Sequence, residues 1–318
     1  MKRKKWLWLL FLLPIIPLAF FPGFLFYTTA PIIEGANSYN ISYNEKQALD
    51  LYFPTQKKYE RSPLLIFMHG GAWIVGRKES INFNRFNGAI ENLRAQGFAV
   101  ASLSYTLAED GISPFPQNIK DIIEAINWLK SQGEEYSIDT NRIGLMGESA
   151  GAHLALMLTF HAYADEHPEW SRPKIDYLVD IYGPTEMKHL FLSETLDSLN
   201  SFARKLPSVL GEPLDIIQNL MGFDPKKDSL KANKFMRDYS PICFLKSELA
   251  PLLIIHGDED QVVPIEQSRQ LIARMDSFNL NYEYHELAGV NHAFIGASDA
   301  QMDSIQNWIS TFILKQYP

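Results

Sequence analysis

The stretch Gly147-Glu148-Ser149-Ala150-Gly151 constrains this chain more than any other. Residues 142–146 before it are mostly apolar, as a buried parallel strand would be, and residues 152–160 after it are apolar on nearly every side, as a buried helix would be. Glycines two residues before and two after the serine suit a strand-to-helix turn too sharp for side chains, with a strained residue at its centre. Such a turn pushes the hydroxyl out at the carboxyl edge of a sheet, over the positive end of a helix. The spacing thus predicts one presented nucleophile, Ser149.

The rest of the chain supplies a sheet to hold that turn. Apolar runs at residues 63–68, 98–104, 175–182 and 251–255 read as buried strands, residues 282–287 as a strand, and residues 39–43 and 48–53 as edge strands paired about Asn44-Glu45-Lys46. Helices are expected over residues 82–96, 265–276 and 301–314. Another opens at Pro116, where Ile119, Ile122, Ile123, Ile126 and Leu129 keep helical spacing until Gly133 stops it. Strands alternating with helices specify an α/β fold, a mostly parallel central sheet with helices on both faces. With 318 residues, 46% of them hydrophobic, the chain can build one large core, placed here in a single domain over residues 39–318. Between residues 185 and 246 the pattern breaks into short amphipathic pieces separated by Pro207, Pro213 and Pro225, which predicts a helical, cap-like insertion.

The N-terminus reads differently. Residues 1–5 are basic, and residues 6–27 form a run of 22 without a charge, about 33 Å if helical and long enough to cross a bilayer. No Lys or Arg follows until Lys46, so the positive-inside bias expects a cell-membrane signal-anchor with a cytoplasmic N-terminus and an extracytoplasmic domain, joined by a spacer over residues 28–38. The alternative is a secreted protein released from a cleaved signal peptide, favoured by Pro14, Pro17 and Pro22. Beyond residue 5 the chain carries 25 basic against 37 acidic residues, which disfavours nucleic acid as a partner. The one cysteine, Cys243, excludes an intramolecular disulfide and is expected as a small buried hydrophobe.

A serine hydroxyl needs an imidazole to take its proton and a carboxylate to hold that imidazole. Of the histidines, His285 and His292 follow the carboxylate-bearing loop. His285 sits within a strand, whereas His292 lies in the loop Ala288-Gly289-Val290-Asn291-His292-Ala293-Phe294, where it can lean over the sheet. Three acids share His256-Gly257-Asp258-Glu259-Asp260; Asp260 is preferred, with Asp258 in reserve. His69, His153 and His256 are read as structural. The ligand spacing around His161, Asp165 and His167 supports no metal, and no cofactor is expected.

With these residues in view, the chain resembles the α/β-hydrolase carboxylesterases, specifically the group similar to hormone-sensitive lipase and to small acyl-carbohydrate esterases. The resemblance runs from about residue 39 onward. Its marks, in the family's order, are His69-Gly70-Gly71-Ala72-Trp73, Gly147-Glu148-Ser149-Ala150-Gly151, Ser240-Pro241-Ile242, His256-Gly257 with Asp260 and Val263-Pro264, and Asn291-His292-Ala293-Phe294. It implies Ser149 as nucleophile, His292 as base, Asp260 as its orienter, and oxyanion N–H groups from Gly70, Gly71 and Ala150. Trp73 and the insertion are expected to wall the substrate pocket. The chain departs from the family's frequent His-Gly-Gly-Gly at Ala72, and from its Tyr-Arg-Leu-Ala-Pro-Glu at Tyr105-Thr106-Leu107-Ala108-Glu109-Asp110, which favours the acyl-carbohydrate side.

The resulting expectation is a serine esterase acting on small or short-chain acyl esters, with activity falling below about pH 6 to 7, where an imidazole ordinarily protonates. A peptidase or acyltransferase on the same triad, and a non-catalytic binding module, are the alternatives. Oligomeric state is left open.

Overall fold

The computed structural model describes residues 35–82, 84–109, 111–192 and 216–317. The basic N-terminus, the expected membrane segment at 6–27 and most of the spacer lie outside the described residues, and no helix among those described is long and apolar enough to cross a membrane. Eight strands form one sheet: β1 (Asn37–Ser42), β2 (Ala48–Tyr52), β3 (Ser62–Met68), β4 (Ala99–Leu103), β5 (Ile138–Glu148), β6 (Tyr177–Ile181), β7 (Leu252–Gly257) and β8 (Tyr282–Leu287). Their order is β1-β2-β4-β3-β5-β6-β7-β8. β1 and β2 pair antiparallel, as do β2 and β4; every other pairing is parallel.

The eight helices of the described residues are α1 (Asn84–Ala95), α2 (Gln117–Ser131), α3 (Ala150–Thr159), α4 (Met187–Phe191), α5 (Ile216–Met221), α6 (Ser229–Asp238), α7 (Glu266–Ser277) and α8 (Asp299–Lys315). Alternate residues of β3 serve opposite faces of the sheet. Leu64, Ile66 and Met68 join the core formed with α2, α3 and α7; Leu65 and Phe67 join the core formed with α1 and α8. A strand buried on both faces must read as a continuous apolar run, which is why β3 stands out in the sequence.

Several boundaries differ from expectation for local reasons. The helix expected over 82–96 is present as α1, starting two residues later because a 3₁₀ turn (Lys78–Asn82) precedes it. β7 runs two residues further than its apolar stretch, because His256 and Gly257 pair with Glu286 and Leu287 of β8. α8 starts two residues early: Ser298 accepts from Gln301 N–H while the Gln301 side chain accepts from Ser298 N–H, a reciprocal cap that fixes the first turn. In the insertion, α4, α5, α6 and a 3₁₀ turn (Pro241–Phe244) are described, and residues 193–215 are not. Ser240 ties α4 to the end of α6, accepting from Met187 N–H at 2.8 Å and donating to Met236 O at 2.6 Å, while Tyr239 O accepts from His153 of α3 at 2.8 Å and fastens the region to the main domain. Cys243 is exposed on that 3₁₀ turn, correcting its expected burial: Pro241 and Leu245 take the inward positions and leave it outside.

Candidate active site

β5 ends at Glu148 and α3 begins at Ala150, so the whole reversal falls on Ser149, whose φ of 51° and ψ of −120° lie in a region costly for a side chain. The neighbouring glycines are demanded by close approach. A Cβ on Gly147 would lie 2.4 Å from the Gly151 carbonyl carbon, and one on Gly151 would lie 2.1 Å from Met68 O. Ser149 N–H donates to Ile181 O at 2.9 Å, which pins the turn to the end of β6.

The base comes from the far side of the sheet. His292 opens a 3₁₀ turn after β8, and Asn291 Oδ1 accepts from both His292 N–H (2.7 Å) and Gln261 N–H (2.9 Å), joining the base's loop to the acid's loop. Asp260 Oδ2 is 2.7 Å from His292 Nδ1, and His292 Nε2 is 3.2 Å from Ser149 Oγ. A carboxylate partner requires a proton on Nδ1, so Nε2 presents its lone pair to the serine. Asp260 is further fixed by Val262 and Val263 N–H groups, each 2.8 Å from Oδ1, and by His256 Nε2, 3.2 Å from Oδ2. Burial alone would push the Asp260 carboxyl up; bonding to His256 and His292 outweighs it and holds the group well below the usual carboxylate range. Asp258, the reserve, is exposed and accepts from Gly289 N–H at 2.7 Å, serving the loop and not the imidazole.

Among the expected oxyanion donors, Gly71 N–H in its loop and Ala150 N–H, the first of α3, have no partner among the described residues. Gly70 differs. It lies against the elbow, with a Cβ position 3.3 Å from Ser149 Cβ, but its N–H makes a long 3.4 Å bond to Glu148 Oε1 and is engaged in the free site. Gly71, at φ 120°, has Val75 O only 1.9 Å from where a Cβ would be, because Ile74 and Val75 N–H groups both curl back onto Gly71 O at 3.0 Å. Trp73, expected as a pocket wall, is 3% exposed and packs under the loop against Phe115 and edge-on to His153. Ile74 instead lines a cleft of about 1030 Å³ beside this loop, together with His69, Tyr105, Leu107, Glu109 and Asp121.

The other histidines are held in place. His69 Nδ1–H donates to Gly70 O at 2.7 Å and its ring stacks on Tyr105; His153 Nε2–H donates to Tyr239 O at 2.8 Å, and burial pushes it down to about 4. His256 bonds Ser268 and Val263 O, and His285 stacks on Trp308 at 3.8 Å. His167 stacks on Trp170, and among the described residues no three ligating side chains are grouped to hold a metal.

Glu148 was not singled out by sequence reasoning beyond its place in the motif. It is 3% exposed and accepts from Arg85 (Nε at 3.0 Å, with a second contact from Nη2) and from Tyr182 OH at 2.9 Å. The available signal was a carboxylate at the inner end of a strand buried on both faces, which cannot stand there unpaired.

A family described as BD-FAE matches residues 49–275. Esterase LipC of Mycobacterium tuberculosis is 28% identical over 272 residues, covering 84% of this chain and 62% of LipC. The chain spans between 55% and 62% of the length of LipC and of two further esterase relatives from that organism. Two solved structures are similar: a truncated carbohydrate esterase from gut microbiota, at 22% identity and TM-score 0.68, covering 90% of this chain and 99% of that one, and esterase B from Lactobacillus rhamnosis, at 20% and 0.70, covering 91% and 89%.

Proposed function

The chain belongs to the BD-FAE family and has the α/β-hydrolase fold, and from that premise we propose that it is a serine-dependent carboxylic ester hydrolase acting on small or short-chain acyl esters. The observation that carries the reading is the continuous contact from Asp260 through His292 to Ser149, at 2.7 and 3.2 Å. Ser149 Oγ attacks the ester carbonyl while His292 Nε2 takes its proton. The oxyanion forms on the Gly71 and Ala150 N–H groups, each donor worth about 3 kcal/mol in comparable sites. Collapse expels the alcohol, which takes the proton back from His292, and leaves an acyl-serine. A water, deprotonated by the same imidazole, then releases the acid and restores the serine. Asp260 stays ionised throughout, its carboxyl held below the usual carboxylate range by its bonds to His256 and His292. The relatives named above are esterases, which supports ester chemistry. The small acyl group follows from the resemblance to acyl-carbohydrate esterases.

The test is hydrolysis of nitrophenyl acetate, butyrate and a long-chain ester by the full chain beside Ser149→Ala. The short esters are cleaved in preference and the variant is silent. A folded wild type that turns over none of them refutes the reading. On the charge asymmetry of residues 1–45, the same proposal places the domain outside the cell on an uncleaved anchor. Recovery of a soluble product shortened by about 30 residues would overturn that placement.

A further inference from the structure

Tyr182 follows the end of β6 with φ 44°, a left-handed conformation that is costly for a bulky side chain and survives only where its surroundings over-determine it. The surroundings here are the site itself. The Tyr182 ring lies 4.7 Å from the His292 ring, tilted 57°, and 5.0 Å from Phe294 in the same loop. Its phenol donates to Glu148 Oε2 at 2.9 Å, and Glu148 is the residue immediately before Ser149. Arg85 from α1 meets the same carboxylate oxygen, so Glu148 is held from two sides.

The bond from His292 Nδ1 to Asp260 sets the imidazole's tautomer and its distance from the acid, but it leaves the ring free to turn about the line of that bond. A second ring packed against the imidazole removes this freedom. Because Tyr182 is anchored at its far end to the residue next to the nucleophile, the surface that orients the base is fixed to the backbone that carries the serine. We propose that Tyr182, anchored by Glu148 and Arg85, is a positioning residue that holds the plane of His292 toward Ser149. This rests on the ester-hydrolase reading above.

The experiment compares Tyr182→Phe and Tyr182→Met in the full chain on nitrophenyl butyrate, with kcat and KM measured separately and urea unfolding followed in parallel. Phe keeps the ring and loses the anchor; Met fills similar volume with no ring. Small misplacements of a reacting group cost up to about 10²-fold in rate. On that scale the Phe variant falls roughly three- to tenfold in kcat and the Met variant falls further, with KM within about twofold and the Phe variant still folding cooperatively, its unfolding midpoint lowered by the lost hydrogen bond to Glu148. Wild-type kcat in Tyr182→Phe overturns the proposal, as does equal kcat in the two variants. If the Met chain does not fold, Tyr182→Phe decides alone. Ser149→Ala separates the two levels: residual turnover there sinks the serine reading itself, whereas a silent Ser149→Ala beside a fully active Tyr182→Phe sinks only the role of Tyr182.

Discussion

Asp180 on β6 is fully buried; its Oδ1 accepts from Gly183 N–H at 2.9 Å and its Oδ2 has no hydrogen-bond partner. Burial raises its carboxyl to about 7, against lesser opposing effects from that N–H and from His256. The folded protein therefore keeps this proton between about pH 4 and 7, where the unfolded chain has released its own. Stability from this group is complete below about pH 4, drains away as pH rises through that window, and levels off above 7. A shift of this size corresponds to something on the order of 4 kcal/mol. Asp180→Asn removes the titration, so the stability of the variant relative to wild type, from urea midpoints, should improve steadily from pH 4 to pH 8. A constant difference across that range would show that Asp180 is ionised in the folded state.

At the scale of elements, the elbow between β5 and α3 is the least forgiving joint. Gly151→Ala places a Cβ 2.1 Å from Met68 O, a backbone atom of the central strand β3 that cannot move aside cheaply. The expected result is a loss of at least about 2 kcal/mol in urea unfolding, together with lost esterase activity. An active variant of wild-type stability would mean that the elbow is slack. The same joint explains what could be read from the sequence. β3, β7 and the last six residues of β5 are buried on both faces and announce themselves as mostly apolar runs, and each empties into a motif carrying Gly71, Ser149 or Asp260. The serine, imidazole and carboxylate singled out on motif grounds are therefore those found within hydrogen-bonding reach. What escaped depends on contacts between distant segments. Arg85 meets Glu148 across 63 positions, and no local pattern records it. For Trp73 the sequence leaves a pocket wall and core packing equally open, and the structure, with positive φ at Ala72 and Trp73, has its indole buried in the core. The later start of α1 and the first turn of α8 are set by 3₁₀ geometry and capping that hydrophobic spacing does not report.

Across the whole molecule, the sheet has a working edge and a blind one. The loops after β3, β5, β7 and β8 carry Gly71, Ser149, Asp260 and His292 to the carboxyl ends of parallel strands, where functional groups of such sheets gather. β1 begins at the opposite edge: Asn37 pairs with Tyr52, Tyr52 pairs with Val100 near the start of β4, and β4 runs parallel to β3. A protein coupled to beads through a cysteine placed at the exposed Ala36, just before β1, with Cys243 replaced by serine, would accordingly turn its reactive mouth toward the bulk liquid, and its kcat/KM for nitrophenyl butyrate should match that of the free protein within about twofold. Coupling through Asn291's loop should obstruct turnover. The direction of one edge strand thus makes the start of β1 a handle, by which the molecule can be fastened to a support without shading the chemistry.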